Sequence, residues 1–330
     1  MAPAVHTTTT VTAGEYILDD DTRRQISDLA AELAAAGDHT NSPEWLGRVR
    51  DGALRMPLPF RRELRALLRH SGETGSLLIH GLPVDDGTGV PPTPTTSGSV
   101  QRTATVPAAV LMLVATVLGE PVAFRAEKSG VLVQDVVPVP GSEDLQGNEG
   151  SVQLSFHVEN AFHRHRPDYV MLLCLRADPQ GVAGLRVASL RRAYPLLDAV
   201  TREALFQAEF ITAAPPSFGT GGGETAPHAV LTGDPGDADI VVDFAATRPL
   251  TPAAGVALLA LQDALATTAD TLRLSPGDLA IVDNNVTLHG RTAFRPAYDG
   301  RDRWLQRAFS VRDLRRSRDL RPCDGHVLVR

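Results

Sequence analysis

Lysine is nearly absent from this 330-residue chain. Of its 32 basic residues one is a lysine, Lys128, and the other 31 (32 − 1) are arginines. A Schiff-base enzyme needs a buried lysine, and a nucleotide-binding P-loop needs Gly-Lys followed by Ser or Thr. Lys128 lies in Ala126-Glu127-Lys128-Ser129-Gly130, which is neither a P-loop nor an evident apolar pocket. The scarcity of lysine therefore excludes both kinds of chemistry.

Cysteine is also scarce, and long apolar runs are missing. Cys174 and Cys323 stand far apart, so the chain has no disulfide framework, zinc ribbon or iron–sulfur spacing. Residues 1–14 lack the apolar core of a signal peptide, and no segment reaches membrane-spanning length. A net charge of −7 disfavours binding to nucleic acid through a basic face. We expect a cytoplasmic protein that binds neither nucleic acid nor membranes.

The chain contains helical patterns first and short apolar runs of strand length afterwards. Residues 1–14 are predicted to be a disordered arm, and residues 15–330 a single domain. Its helical flank spans about 15–120 and ends with an apolar helix over 106–118; a β-rich core spans about 121–330. Helices near 196–207 and 252–265 interrupt strands such as 152–157, 240–244 and 304–311. The pattern predicts a mostly β barrel or sandwich with a helical flank, and a lid loop at about 213–237.

Three residues have the pattern of a metal site. His157 follows an apolar run, and Glu159 comes two residues later, a spacing that places both side chains on one face of a strand. His289 follows a second apolar segment, residues 279–282. Two imidazoles and one carboxylate leave coordination positions open, as in non-haem iron(II) oxygenases, where co-substrate and O₂ occupy them. The same ligands also suit a zinc hydrolase with a bound water, and this alternative stays open.

Two arginines follow the second histidine. Arg303 comes 14 residues after His289 (303 − 289), beyond the turn signal Asp299-Gly300, and Arg307 comes four residues later. On one strand this even spacing places both guanidiniums on the same face. A guanidinium beside an iron suits the far carboxylate of 2-oxoglutarate, which it binds through two parallel hydrogen bonds. The alternative is an arginine-rich surface strand.

Two blocks of sequence resemble a known enzyme family. They are HVENAFHRHRPDYVMLLCLR (residues 157–176) and HGRTAFRPAYDGRDRWLQRAFSVRDLRRSRDLRP (residues 289–322). Both are similar to the clavaminate synthase-like Fe(II)/2-oxoglutarate oxygenases, above all to the bacterial asparagine and arginine β-hydroxylases of peptide-antibiotic pathways. The resemblance implies a double-stranded β-helix, or jelly roll, with N-terminal and inserted helices, and it implies Fe(II), 2-oxoglutarate and O₂. It makes His157, Glu159 and His289 the iron ligands, and it makes Arg303 the 2-oxoglutarate anchor with Arg307 nearby.

The same resemblance implies where an amino acid substrate binds. The matching positions are Glu127, Asn148 and Asp243. Because Asp243 is a single acid where arginine-specific relatives carry an Asp-x-Asp pair, asparagine or another small polar amino acid is favoured over arginine. We expect hydroxylation at Cβ of a substrate that is free or tethered to a carrier protein. The remaining alternative, a non-catalytic barrel that binds a small molecule, predicts no metal.

The chain departs from the family pattern at one place. Relatives usually carry threonine just before Val-Ala-Ser, where it helps to hold 2-oxoglutarate, whereas this chain has Leu185-Arg186. Either another hydroxyl holds 2-oxoglutarate, or the binding of this co-substrate is altered.

Overall fold

The structure, a computed structural model, describes residues 14–85, 87–215, 218 and 223–329. The predicted disordered arm lies outside the described residues except for Gly14, and so does part of the predicted lid at 213–237. Within the described residues no helix combines the length and the apolar character needed to cross a lipid bilayer.

The helices begin where the sequence supplies capping side chains. Asp19, Ser42 and Thr105 each accept a hydrogen bond from the backbone N–H three residues later, which satisfies an otherwise unpaired donor. The predicted apolar helix over 106–118 is confirmed, and it is buried on nearly all sides. The helices are α1 (Asp20–Ala34), α2 (Pro43–Arg55), α3 (Leu58–Arg69), α4 (Val106–Leu118), α5 (Leu190–Ala193), α6 (Ala199–Leu205) and α7 (Pro252–Thr268).

A larger sheet of mixed direction forms the centre of the molecule. Its strands are β1 (Glu15–Ile17), β2 (Ser76–His80), β3 (Glu120–Phe124), β4 (Gln134–Val136), β6 (Tyr169–Arg176), β13 (Leu279–Asp283), β15 (Trp304–Val311) and β16 (Val327–Leu328). They follow the order β1-β2-β13-β6-β15-β3-β16, and β4 also pairs with β15. The β1–β2 and β3–β16 pairs are parallel, and the other pairs are antiparallel.

A smaller antiparallel sheet packs against the larger one. Its strands are β5 (Leu154–His157), β7 (Leu185–Ser189), β12 (Asp270–Leu272) and β14 (Thr287–Arg291), in the order β12-β7-β14-β5. Two short ribbons join β8 (Phe210–Thr212) to β11 (Thr247–Pro249) and β9 (Leu231–Thr232) to β10 (Asp239–Ile240). The predicted strand over 240–244 is wrong in extent, because β10 ends at Ile240 and Asp243 pairs through an isolated bridge to His157.

Three apolar clusters define the layers. The first packs α1–α4 against the outer face of the larger sheet, and the second fills the space between the sheets. The third packs α5–α7 on the outer face of the smaller sheet. Along β7, Leu185 and Val187 face between the sheets, whereas Ala188 faces the helices, as the strand's period of two requires. The predicted mostly β protein with a helical flank is therefore a pair of sheets with helices on both outer faces.

Candidate metal centre

The three predicted metal ligands meet at the edge of the smaller sheet. His157 ends β5 and lies directly opposite His289 on β14, and the centroids of the two rings are 4.3 Å apart. Glu159 Oε2 is 3.5 Å from His289 Nε2. One ligand atom from each of the three side chains lies within 4.8 Å of the other two. Glu159 and His289 are buried, whereas His157 is only partly buried, so the cluster is compact and is reached from the side of His157.

Glu159 is held in this cluster by contacts that the strand spacing did not predict. β5 ends at His157, so Glu159 lies beyond the strand. The fully buried Asn284 holds it: the N–H of Glu159 donates to Asn284 Oδ1 (2.7 Å), and Asn284 Nδ2 donates to the carbonyl of Glu159 (3.1 Å). Sequence reasoning missed Asn284, although an amide directly after an apolar strand and five residues before His289 is a visible signal.

The protonation of the cluster suits a divalent metal. His157 Nδ1 lies 3.0 Å from the carbonyl of Ser155, which assigns the proton to Nδ1 and leaves Nε2 free as a ligand. Burial, reinforced by His157, lowers the pKa of His289, so this ring is neutral at pH 7. Burial raises the pKa of Glu159, but Arg307 and His289 outweigh it and hold that pKa well below its usual range. A neutral imidazole at His289 and an ionised carboxylate at Glu159 fit a site for iron(II).

Arg303 is a buried cation with no anionic partner among the described residues. It lies one residue before β15, 6% exposed, and forms neither an ion pair nor a hydrogen bond with a described side chain or backbone group. Its guanidinium carbon is 5.3 Å from the centroid of the Phe294 ring. Burial lowers the pKa of Arg303 to about 10. Because a buried unpaired charge is costly, this is a position at which an anion is expected.

A second buried arginine, Arg291, lies close to Arg303 and was missed by sequence reasoning. It follows His289 by two residues on β14 and stands opposite Leu185 of β7. Its guanidinium donates to the carbonyls of Gly147 and Val152, each at 2.9 Å. Burial and repulsion from Arg303 lower its pKa to about 9. The signal in the sequence was the tripeptide His289-Gly290-Arg291, in which a strand places His289 and Arg291 on one face.

Arg307 is already paired, unlike Arg303. From the middle of β15 it donates to the carboxylates of Glu159 (3.0 Å) and Glu127, and to Asn148 Oδ1 (3.3 Å). Arg303, directly before β15, and Arg307, within β15, therefore have different surroundings. The predicted contact of Arg307 with 2-oxoglutarate stays a prediction, and its partners include two of the three residues predicted for the substrate.

A cavity of about 650 Å³ opens beside the metal cluster, and His289, Arg291 and Arg303 are not among the residues that line it. Its walls include the predicted substrate residues Glu127, Asn148 and Asp243, together with His157, Glu159 and Arg307. Ala213, Pro215 and Phe218, from the part of the predicted lid that the structure describes, also line it. The site thus combines a compact metal-sized cluster with a polar chamber large enough for an amino acid.

Comparisons with known proteins agree with this geometry. Residues 39–309 match the family described as taurine catabolism dioxygenase TauD, TfdA family. The chain is 55% identical to L-asparagine oxygenase of Streptomyces coelicolor, covering 95% of this chain and 94% of that protein. It is 36% identical to clavaminate synthase 2 of Streptomyces clavuligerus, covering 87% and 89%.

A solved structure extends the comparison. Asparagine oxygenase in complex with Fe(II), 2S,3S-3-hydroxyasparagine and succinate has a TM-score of 0.93 at 53% identity, covering 96% of this chain and 99% of that one. The chain belongs to the taurine catabolism dioxygenase family. The predicted resemblance to the clavaminate synthase-like oxygenases and the asparagine hydroxylases is confirmed.

Proposed function

We propose that this chain hydroxylates L-asparagine, or another small polar amino acid, at Cβ. The chain is an oxygenase that uses Fe(II), 2-oxoglutarate and O₂. The observation that carries the proposal is the shared cavity, in which His157 and Glu159 face the same space as Glu127, Asn148 and Asp243. The 55% identity to an L-asparagine oxygenase favours asparagine among the possible substrates.

We assign the metal and co-substrate to the residues as follows. His157, Glu159 and His289 would hold the iron, which together with 2-oxoglutarate and O₂ supplies the oxidant for an unactivated C–H bond. Arg303, which has no anionic partner among the described residues, would bind the far carboxylate of 2-oxoglutarate. Leu185 has no hydroxyl to offer, and Arg291 directly opposite it brings a second positive charge to this side of the site.

The substrate head group has a matching pair of charges. An amino acid carries an ammonium and a carboxylate on one carbon, and the ion pair of Glu127 with Arg307 presents the complementary charges side by side. We assign the substrate carboxylate to Arg307 and its ammonium to Glu127. Asp243, bridged to His157 through the backbone, and Asn148 then remain for the carboxamide of the side chain. These contacts fix which C–H bond lies nearest the metal.

The proposal includes the finer architecture. The larger and smaller sheets form the two halves of a double-stranded β-helix, and residues 15–330 form one oxygenase domain with a flank over about 15–120 and a core over about 121–330. Residues 213–237 act as a lid that excludes water when substrate binds. The substrate is an amino acid, either free or tethered to a carrier protein. That the enzyme is cytoplasmic and binds no nucleic acid stays a prediction.

The decisive test is a panel of the proteinogenic amino acids, incubated with the protein, Fe(II) and 2-oxoglutarate. We expect succinate and a product one oxygen atom heavier from asparagine, and a dependence on both Fe(II) and 2-oxoglutarate. His157→Ala should abolish succinate formation, while His70→Ala, at an exposed histidine outside the cluster, should leave it unchanged. Arg303→Met should raise the KM for 2-oxoglutarate by roughly 10- to 100-fold.

The alternatives predict different results. A zinc hydrolase would need no 2-oxoglutarate, and a non-catalytic barrel would give no succinate with any amino acid. No observation supports either. Undiminished turnover by His157→Ala would contradict the assignment of the metal site.

A further inference from the structure

A second cavity, of about 340 Å³, lies on the other face of β15 from the metal-side cavity. Side chains alternate along this strand, so Leu305 and Phe309 point between the sheets, whereas Trp304 and Ala308 pack toward the helices. Gln306 lines this second cavity, between α1, the loop after β2 and the start of α4. Among the described residues, none lines both cavities.

Gln306 is an amide whose hydrogen-bonding capacity is unused. It is 1% exposed, and neither Oε1 nor Nε2 has a hydrogen-bond partner among the described residues. Its polar neighbours on the cavity wall are paired: Trp304 Nε1 donates to Asp135 (2.8 Å), and Gln101 Nε2 donates to the carbonyl of Thr103 (2.8 Å). A buried amide without partners is destabilising, so a group inside the cavity is expected to pair with it.

The rest of the wall defines the chemistry of that group. Most of the surface is apolar, contributed by Ala31, Val84, Val90, Val106, Leu175 and Trp304. No arginine, lysine or histidine lines the cavity among the described residues, and the exposed Asp85 stands on its wall, so an anion is disfavoured. A primary amide presents a donor and an acceptor side by side, and another amide complements it with two parallel hydrogen bonds.

We propose that this cavity is a binding site for a small neutral molecule with a flat apolar body and a carboxamide or lactam group, which pairs with Gln306. The apolar body packs against Trp304 and the surrounding aliphatic side chains. The site is separate from the oxygenase site and does not depend on the proposed reaction.

Benzamide is the probe for this proposal, added to the full chain and followed by titration calorimetry and by tryptophan fluorescence. The chain has two tryptophans, and Trp45, buried in α2, can be replaced by Phe to leave the signal of Trp304. We expect saturable benzamide binding with a change in Trp304 emission. Toluene, which lacks the amide, and benzoate, which is charged, should each bind at least about 10-fold more weakly.

Substitutions locate the site. Gln306→Leu should weaken benzamide binding at least about 10-fold, and the control Gln25→Leu, at an exposed glutamine on α1 outside the cavity, should change it less than about 2-fold. If Gln306→Leu does not fold, Gln306→Met keeps an unbranched side chain of similar length and serves instead. The proposal is overturned if wild type shows no saturable binding or if the Gln306 variant binds equally well. A crystal structure with benzamide present but only ordered water on Gln306 overturns it as well.

Discussion

The position of Glu159 depends on one residue far away in sequence. Asn284 lies between β13 and β14, is fully buried, and bonds both the N–H and the carbonyl of Glu159 as well as the carbonyl of Pro167. Because Asn284 lies just before β14, which carries His289, this one amide links the positions of two candidate ligands. Residues that orient metal ligands typically change metal affinity when they are replaced, even though they do not touch the metal.

We therefore expect Asn284→Ala to weaken metal binding by roughly 10- to 100-fold. Titration with Co(II), followed by its visible absorption, measures the affinity without turnover. The matched control is Asn285→Ala, which removes bonds to Asp168 and Asp283 instead of those to Glu159. Circular dichroism establishes that both variants fold. Equal Co(II) affinities in the two variants would refute a positioning role for Asn284.

The sequence identified those residues of the site that belong to a short motif or have a characteristic spacing. The His-x-Glu motif and the spacing from His289 to Arg303 identified the cluster and the unpaired guanidinium. It missed Asn284 and the neighbouring Arg291, because their partners come from chain segments more than 100 residues away. The sequence shows that Asn284 and Arg291 are polar residues in or beside apolar strands, but it does not show which distant backbone groups they meet.

Among the elements, helices were predicted better than short strands. α4 and α7 carry their own start signals, a capping threonine followed by proline, and β6 is a nearly continuous apolar run. β10 was predicted too long because residues 240–244 are buried by neighbours rather than paired along their length. β7 and β14, which flank the metal cluster, are short and contain arginine or glycine, so their apolar pattern is weak.

The approach of β14 to β5 requires a glycine at one position. Gly290 lies between His289 and Arg291, where the pairing with β5 shifts register. A Cβ atom there would lie 2.6 Å from the carbonyl oxygen of Leu154, which is closer than van der Waals contact allows. Since the obstacle is backbone, the strands would have to separate, and they carry His157 and His289.

Gly290→Ala should therefore lower the free energy of unfolding by roughly 1–3 kcal/mol and weaken Co(II) binding. Urea unfolding at pH 7 measures the first effect. Gly47→Ala is the control, because Gly47 lies in α2 with nothing within 4 Å of the added Cβ. That substitution should be neutral or stabilise by up to about 1 kcal/mol. An unfolding free energy of Gly290→Ala equal to that of wild type would show that β5 and β14 adjust freely.

For the molecule as a whole, the single lysine links several parts of the cavity wall. Lys128 lies on the wall of the larger cavity, and its Nζ donates to the carbonyls of Ser99 (3.1 Å) and Asp135 (2.5 Å). Burial, with a smaller contribution from Arg307, lowers its pKa to about 8. The sequence showed no pocket around Lys128, but the structure places it on the cavity wall, where its ammonium donates to two chain segments beside the site.

This shift makes stability depend on pH in a defined window. The pKa of a lysine in an unfolded chain is about 10.4. Between pH 8 and about 10.4 the unfolded chain therefore binds more protons than the folded one, and the free energy of unfolding rises with pH. Below pH 8 both states are protonated and the cost of burying the charge is fully present. Lys128→Met removes this dependence, so its unfolding free energy relative to wild type should fall by about 2 kcal/mol from pH 7 to pH 10. Lys128→Arg, whose side chain stays charged over this pH range, should also lack the rise in unfolding free energy. Urea unfolding across this range tests both variants, and parallel curves for wild type and Lys128→Met would show that Lys128 does not titrate there.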